Sequence, residues 1–386
     1  MEHTSNGALD GLVVLDLTQF MAGPYGSQIL GDMGAEIIKI ETEKGDDSRT
    51  VPPYFHNGTS AYYLTLNRNK KNILLDLKSE KDYAAFLKLL EKADVVFDNY
   101  RPGVTKKLRV DYETLSKVNP RIICCSISGF GQYGPYKDRP AYDMVVQALG
   151  GVMSLTGEVD GRPVRAGIPI GDVCAGIYAV NGILAAVYER ERSGMGQFID
   201  ISMLDVQVSM LTYHAAFYFM SGIIPGPQGR AHRAIPTYSC FVARDGMDIL
   251  ITANTPKMWT DLCEVLDKPE LASDPRFESK DLRLKNEKEL VAILNELFAK
   301  QDGQQLLDRM NSAGIPAAPI QNIEQALTDP QVLARNMVIG LTDNSGETVR
   351  VAGNPIKFSR SNKEYLKFPP KLGEDTEAIL KKYCNN

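Results

Sequence analysis

Five short runs in the first 127 residues are apolar almost from end to end: residues 13–17, 36–40, 72–77, 95–97 and 122–127. Longer stretches between them carry their apolar residues at helical spacing. A strand with one face in water alternates apolar and polar side chains, and a strand without that alternation has to be covered on both faces. The pattern therefore predicts a parallel sheet with helices packed on either side, a doubly wound, Rossmann-like α/β domain.

Further along, residues 173–192 and 206–220 read as long apolar helices, with a strand-like run at 197–201 between them. A Gly/Pro cluster at 223–229 interrupts regular structure and marks a domain boundary. Beyond it a hairpin is expected around Asp245 and Gly246, then amphipathic helices near 257–266, 287–299 and 304–311, which together make a smaller α+β domain. The turn-rich passage 314–319 reads as the way back to the first domain. The expected division is 1–222 for the large domain, 223–325 for the small one, and 326–386 for a C-terminal segment returning to the large domain.

Lys and Arg number 43 against 48 Asp and Glu, a net charge of -5 with both signs interspersed, which argues against a nucleic-acid partner. The six cysteines form no CxxC pair and sit mostly in apolar runs, as reduced thiols of a cytoplasmic protein do. The N-terminus is polar, and no apolar run is seen to approach the roughly 18 residues of a membrane helix. Neither secretion nor a membrane partner is expected.

Local motifs leave the chemistry open. The first strand runs into a turn with Gly23 and Pro24 ahead of a helix, a place where backbone N–H groups can hold phosphate, but the GxGxxG spacing is missing and NAD is not expected. Two basic loops, residues 67–71 and 99–107, put Arg and Lys beside Tyr100, which suits a phosphorylated nucleotide such as the 3′-phospho-ADP end of coenzyme A. A solvated charge run has the same composition. Asp172 precedes an apolar helix and locally reads first as an N-cap, worth about 1 kcal/mol, ahead of a carboxylate that Gly171 and Gly176 let a bulky ligand approach. His3, His56, His214 and His232 show no metal-ligand spacing, and no GxSxG elbow is present.

Taken together, Leu15-Asp16-Leu17-Thr18 with Ala22-Gly23-Pro24, the run Gly34 to Glu41, Gly45-Asp46-Asp47-Ser48-Arg49, Asn69-Lys70-Lys71, Asn99-Tyr100-Arg101-Pro102-Gly103, Ser128-Gly129-Phe130-Gly131 and Tyr142-Asp143 resemble the family III CoA-transferases. The resemblance runs from about Leu9 to Phe358. It implies an interlocked homodimer, acyl-CoA and carboxylic acids as substrates, no tightly bound cofactor and no metal. It also implies that Asp172 is a nucleophile forming aspartyl anhydride and thioester intermediates. Gln19, Phe20, Ala22, Leu75, Asn99, Tyr100, Arg101 and Lys107 would line the coenzyme A site, with Tyr142 near the thioester and Asp172 at the join between domains. Backbone amides near Gln19 and in the small-domain loop would stabilise oxyanions.

A 2-methylacyl-CoA racemase of the same fold is the competing reading. It needs a histidine where this chain has Tyr142, a poor base at neutral pH. A non-catalytic coenzyme A-binding relative is a third. Thr42 replaces an arginine that some relatives place on the nucleotide phosphate, which leaves Lys44, Arg49 or Arg101 for that task. The segments at 45–50 and 67–71 look closest to transferases of small dicarboxylic acids that use succinyl-CoA or acetyl-CoA. Arg230, His232 or Arg233 would then hold a second acceptor carboxylate.

Overall fold

The computed structural model describes residues 7–361 and 365–384. Six strands, β1 (Val13–Asp16), β2 (Glu36–Glu41), β3 (Lys70–Leu74), β4 (Val95–Asp98), β5 (Ile123–Ser128) and β6 (Phe198–Ser202), form one sheet in the order β3-β2-β1-β4-β5-β6. Every neighbouring pair is parallel. This is the strand order of the doubly wound dinucleotide folds, whose ligands lie beyond the carboxyl ends of the two central strands where the winding direction reverses. Here those strands are β1 and β4.

The lack of polar alternation has its predicted cause. Val14, Ile37, Val95, Phe97, Ile123 and Cys125 point to one face. There they pack on helix α1 (Ala22–Asp32) and on a 24-residue helix over Ile170–Ser193, through Leu30, Ala175, Ala179 and Ile183. Their neighbours Leu15, Ile38, Ile73, Val96 and Cys124 point to the other face, against Phe86, Leu89 and Leu90 of a helix over Glu80–Leu90 and against Ile379 of the helix Thr376–Cys384. Both faces are buried, so hydrophobic burial drives the strands from either side.

The chain divides into two compact units, one of residues 1–153, 165–220 and 331–386, the other of residues 154–164 and 221–330. The second unit has its own antiparallel sheet, in which Ile235–Val242 and Asp248–Thr252 form the expected hairpin around Gly246, whose φ is 83°. Helices Pro256–Val265, Glu287–Phe298 and Gly303–Ser312 cover it through Trp259, Leu262, Leu294, Phe298 and Met310. Ala317–Pro319 pairs antiparallel with Ile249–Ile251 as a strand of this sheet, so the turn-rich passage 314–319 belongs here and does not lead back.

Two other expectations change. The helix read over 206–220 is broken into Met203–Ser209 and Tyr213–Ser221, because Thr212 adopts a left-handed φ of 45° that an α-helix does not allow. The helix Ile170–Ser193 is long and apolar enough, by length and composition alone, to cross a membrane, so the statement that no stretch reaches that length is wrong. Scattered polar residues within it concealed the run. One side of this helix packs on the sheet and on α1.

Candidate functional site

Beyond the carboxyl ends of β1 and β4 lies a cleft of about 360 Å³. Its walls include Gln19, Phe20, Met21 and Ala22 from the turn after β1, Asn99, Tyr100 and Arg101 from the turn after β4, and Tyr142 and Asp172. Of the site residues predicted above, the fold thus gathers Gln19, Phe20, Ala22, Asn99, Tyr100, Arg101, Tyr142 and Asp172 around one space.

The turn after β1 is clamped at three successive residues, Thr18, Gln19 and Phe20. Asp16 accepts from the Thr18 N–H at 2.9 Å, and the ammonium of Lys39 donates to the Thr18 carbonyl at 2.7 Å. Asn99 grips Gln19 from both sides, its Oδ1 accepting the Gln19 N–H at 2.8 Å and its Nδ2 donating to the Gln19 carbonyl at 2.7 Å. Phe20 has a left-handed φ of 65°, a strained state for a bulky residue, and its N–H is held by the Asp46 carboxylate at 3.2 Å. Asp46 in turn pairs with Lys39 at 3.0 Å in a bridge with both side chains fully buried. The N–H groups of Thr18, Gln19 and Phe20 are therefore already committed, so an oxyanion donor from this turn has to come from a neighbouring peptide.

Asp172 sits in the first turn of the helix Ile170–Ser193, but it is not the N-cap. Pro169 takes that position and supplies no side-chain cap. Capping comes from outside the helix, where Asp143 accepts the Gly171 N–H at 2.7 Å. Asp172 itself takes no hydrogen bond or ion pair among the described residues. Burial first, and then the negative charge of Asp143, push its carboxyl up to about 7. Gly171 and Gly176 also have a different role from the one expected. A Cβ on Gly176 would meet the Ala22 carbonyl at 2.6 Å, and one on Gly171 would meet Asp143 and Val146 at 2.9 Å. These glycines let protein elements approach each other, not a ligand.

Other predicted residues lie elsewhere. Leu75 is 3% exposed, its side chain in the core between the sheet and the helix Glu80–Leu90, so it cannot line the cleft with that side chain. Lys107 is exposed at the end of a short helix, Val104–Lys107, and is not on the cleft wall. The basic segment 67–71 is structural throughout. Arg68 makes a two-pronged pair with Asp32 at 2.9 and 2.6 Å, Lys70 is buried against Asp16 and Ser27, and Lys71 pairs with Glu36. Arg49 is bound to Glu41 and lies flat over the Tyr63 ring at 3.8 Å, so it has no fork left for a phosphate. In the second unit Arg230 pairs with Asp248, His232 stacks on Tyr238, and Arg233 is exposed.

Sequence reading missed Lys137 and Arg139, which join Arg101 on the cleft wall. Their signal was a pair of cations in a Gly/Pro-bounded loop after β5. It also missed a group outside the cleft lining, where His56, Asp343 and Glu347 each bring a ligand atom within 4.8 Å of the others, a set able to hold a cation. Residues so far apart in the chain give no spacing to read.

A family model described as CoA-transferase family III matches residues 9–376. The acetyl-CoA:oxalate CoA-transferase of Acetobacter aceti is 41% identical over 98% of this chain and 96% of its own. The human succinyl-CoA:glutarate CoA-transferase is 37% identical over 97% of this chain and 85% of its own. Among solved structures, a CAIB/BAIF family protein from Brucella suis superposes with a TM-score of 0.86 at 37% identity, covering 98% of this chain and all of the other.

Proposed function

Since the chain belongs to CoA-transferase family III and is a CoA-transferase, we propose that it passes coenzyme A from acetyl-CoA or succinyl-CoA to a small dicarboxylic acid, with Asp172 as nucleophile. The observation that carries this reading is the position of Asp172: a half-buried carboxylate without a partner, at the head of a helix, facing the cleft at the sheet's switch point. The named relatives, which act on oxalate and glutarate, support the substrate class.

In the first step an Asp172 oxygen attacks the donor thioester carbon and expels coenzyme A thiolate, leaving a mixed anhydride. The thiolate then attacks the Asp172 carbonyl and releases the donor acid, which gives an aspartyl-CoA thioester. The acceptor carboxylate displaces the thiolate to form a second anhydride. Thiolate attack on the acceptor's acyl carbon yields the new acyl-CoA and restores the carboxylate. Arg101, Lys137 and Arg139 favour the phosphates of coenzyme A in the same cleft.

The homodimer is proposed as well. Supporting it is the helix Tyr213–Ser221, whose Phe219 and Met220 are 81% and 87% exposed. A cytoplasmic location is supported by thiols such as Cys124 and Cys125, buried in the sheet as ordinary core residues.

Incubation with succinyl-CoA alone, followed by hydroxylamine and peptide mass spectrometry, is expected to find the hydroxamate on Asp172. An Asp172→Asn variant that still transferred coenzyme A would overturn the assignment.

A further inference from the structure

Asp143 lies behind the nucleophile, on the helix Asp143–Leu149, and is itself buried. Its two oxygens do different things. Oδ1 accepts the Gly171 N–H at 2.7 Å, one residue before Asp172, and Oδ2 accepts from the Gln147 side chain at 2.7 Å. Gln147 is fixed in turn, its own oxygen accepting the Ala166 N–H at 3.0 Å. The approach is too close for any larger residue at 171, where a Cβ would fall 2.9 Å from the Asp143 oxygen. An ordinary N-cap could have come from the helix's own residue 169, but that is Pro169, which offers no side-chain acceptor.

Resting on the nucleophile reading above, we propose that Asp143 is a positioning residue for Asp172: it pins the turn that carries the nucleophile and places a second negative charge behind it. Two consequences follow for catalysis. The N–H bond fixes where the Asp172 carboxylate meets the thioester carbon, and a displacement of an ångström there is costly. The charge makes Asp172 a stronger base and nucleophile than an isolated carboxylate, at the cost of protonating it at a higher pH.

Other groups around Asp172 act differently. Tyr62, on the short helix Ala61–Leu64, senses the Asp172 charge but stays protonated, its hydroxyl pushed up to about 12 chiefly by burial. From α1, Tyr25 couples to Arg68, Asp32 and Cys174. Asp205, on the helix Met203–Ser209, acts on Asp200. Arg101, Lys137, Arg139, Asp47 and Tyr142 stand on the cleft wall, and Cys174 is on the helix of Asp172 itself. Among the described residues, only Asp143 combines a bond to this turn with a charge acting on Asp172.

The test is the pH dependence of kcat/KM for Asp143→Asn and Asp143→Ala, with thermal melting and coenzyme A affinity measured alongside. Asparagine keeps the acceptor for Gly171 and removes the charge. It is expected to hold the high-pH plateau within about threefold and to move the acid limb down by about one pH unit from about 7. Alanine removes the acceptor as well and should lower kcat at least tenfold at every pH while coenzyme A affinity is retained. Should Asp143→Asn unfold, adding Gln147→Glu supplies the new amide with an acceptor, and a smaller downward movement of the limb is expected. An unmoved acid limb in an Asp143→Asn enzyme, with Asp172→Asn inactive, overturns the proposal. An active Asp172→Asn enzyme instead overturns the nucleophile reading from a different variant, and this proposal falls with it.

Discussion

Asp172→Asn should abolish transfer and at the same time make the protein more stable, but only above a certain pH. The folded chain holds the Asp172 proton up to about pH 7, against 3.8 for an ordinary aspartate. Between those values the folded state binds more protons than the unfolded one, so this residue's contribution to stability falls as pH rises through the window. Above about pH 7 the full penalty of an ionised carboxylate without a partner is present. Asparagine does not titrate and escapes it. About three pH units at roughly 1.4 kcal/mol each gives a ceiling of about 4 kcal/mol. Asp172 faces an open cleft, so solvent screens part of this, and about 2 kcal/mol is the realistic gain at pH 8. The assay is denaturant unfolding of both proteins at pH 4.5, 6 and 8, followed by a probe in the unit that carries the six-stranded sheet and Asp172. The variant's advantage should be near zero at pH 4.5 and grow towards pH 8. A difference independent of pH, or a wild-type protein more stable at pH 8, would refute the reasoning, because the carboxylate would then not be strained in the fold.

Three further outcomes follow from the same geometry. Lys39→Met should destabilise by about 3 kcal/mol or more, because it leaves Asp46 charged, buried and without its counter-ion; the unfolding midpoint in denaturant measures it. Arg139→Ala and Lys137→Ala should each raise KM for acyl-CoA about tenfold, with the effect shrinking in high salt and the melting temperature unmoved, whereas Arg68→Ala should do the reverse and lower the melting temperature with KM intact. Asn99→Ala loses both bonds to Gln19, and steady-state kinetics should show kcat/KM falling about tenfold while circular dichroism stays native.

Much of the large sheet was legible because its signal is local: five apolar runs without alternation require cover on both faces, and Leu15 and Val14 do point to opposite cores. The helix break at Thr212 was not legible, since a left-handed threonine is imposed by surroundings and has no sequence signature. The same contrast holds at the cleft. Turns after β1 and β4 are where this topology puts ligands, and the family resemblance placed Gln19 and Asn99 in those turns. Charge alone could not separate Arg101, on the cleft, from Arg68 and Lys70, which are consumed by Asp32 and Asp16. Whether a cation is spent inside the fold depends on partners 36 and 54 residues away. The cap at Gly171 was misassigned for the same reason, its true acceptor lying 28 residues upstream.

The contact between Gly26 and Gly176 sets a fixed gauge for this enzyme. A Cβ on Gly26 would meet the Gly176 carbonyl at 3.0 Å, and one on Gly176 would meet the Ala22 carbonyl at 2.6 Å, so the two helices touch backbone to backbone. One helix starts at the turn that borders the cleft, and the other starts at the nucleophile. Their separation is therefore set by two missing side chains, and enlarging either would pull the carrier's seat away from the reacting carboxylate. Redesign towards bulkier acids should leave this pair untouched and trim a lining residue outside the two helices, such as the exposed Tyr142.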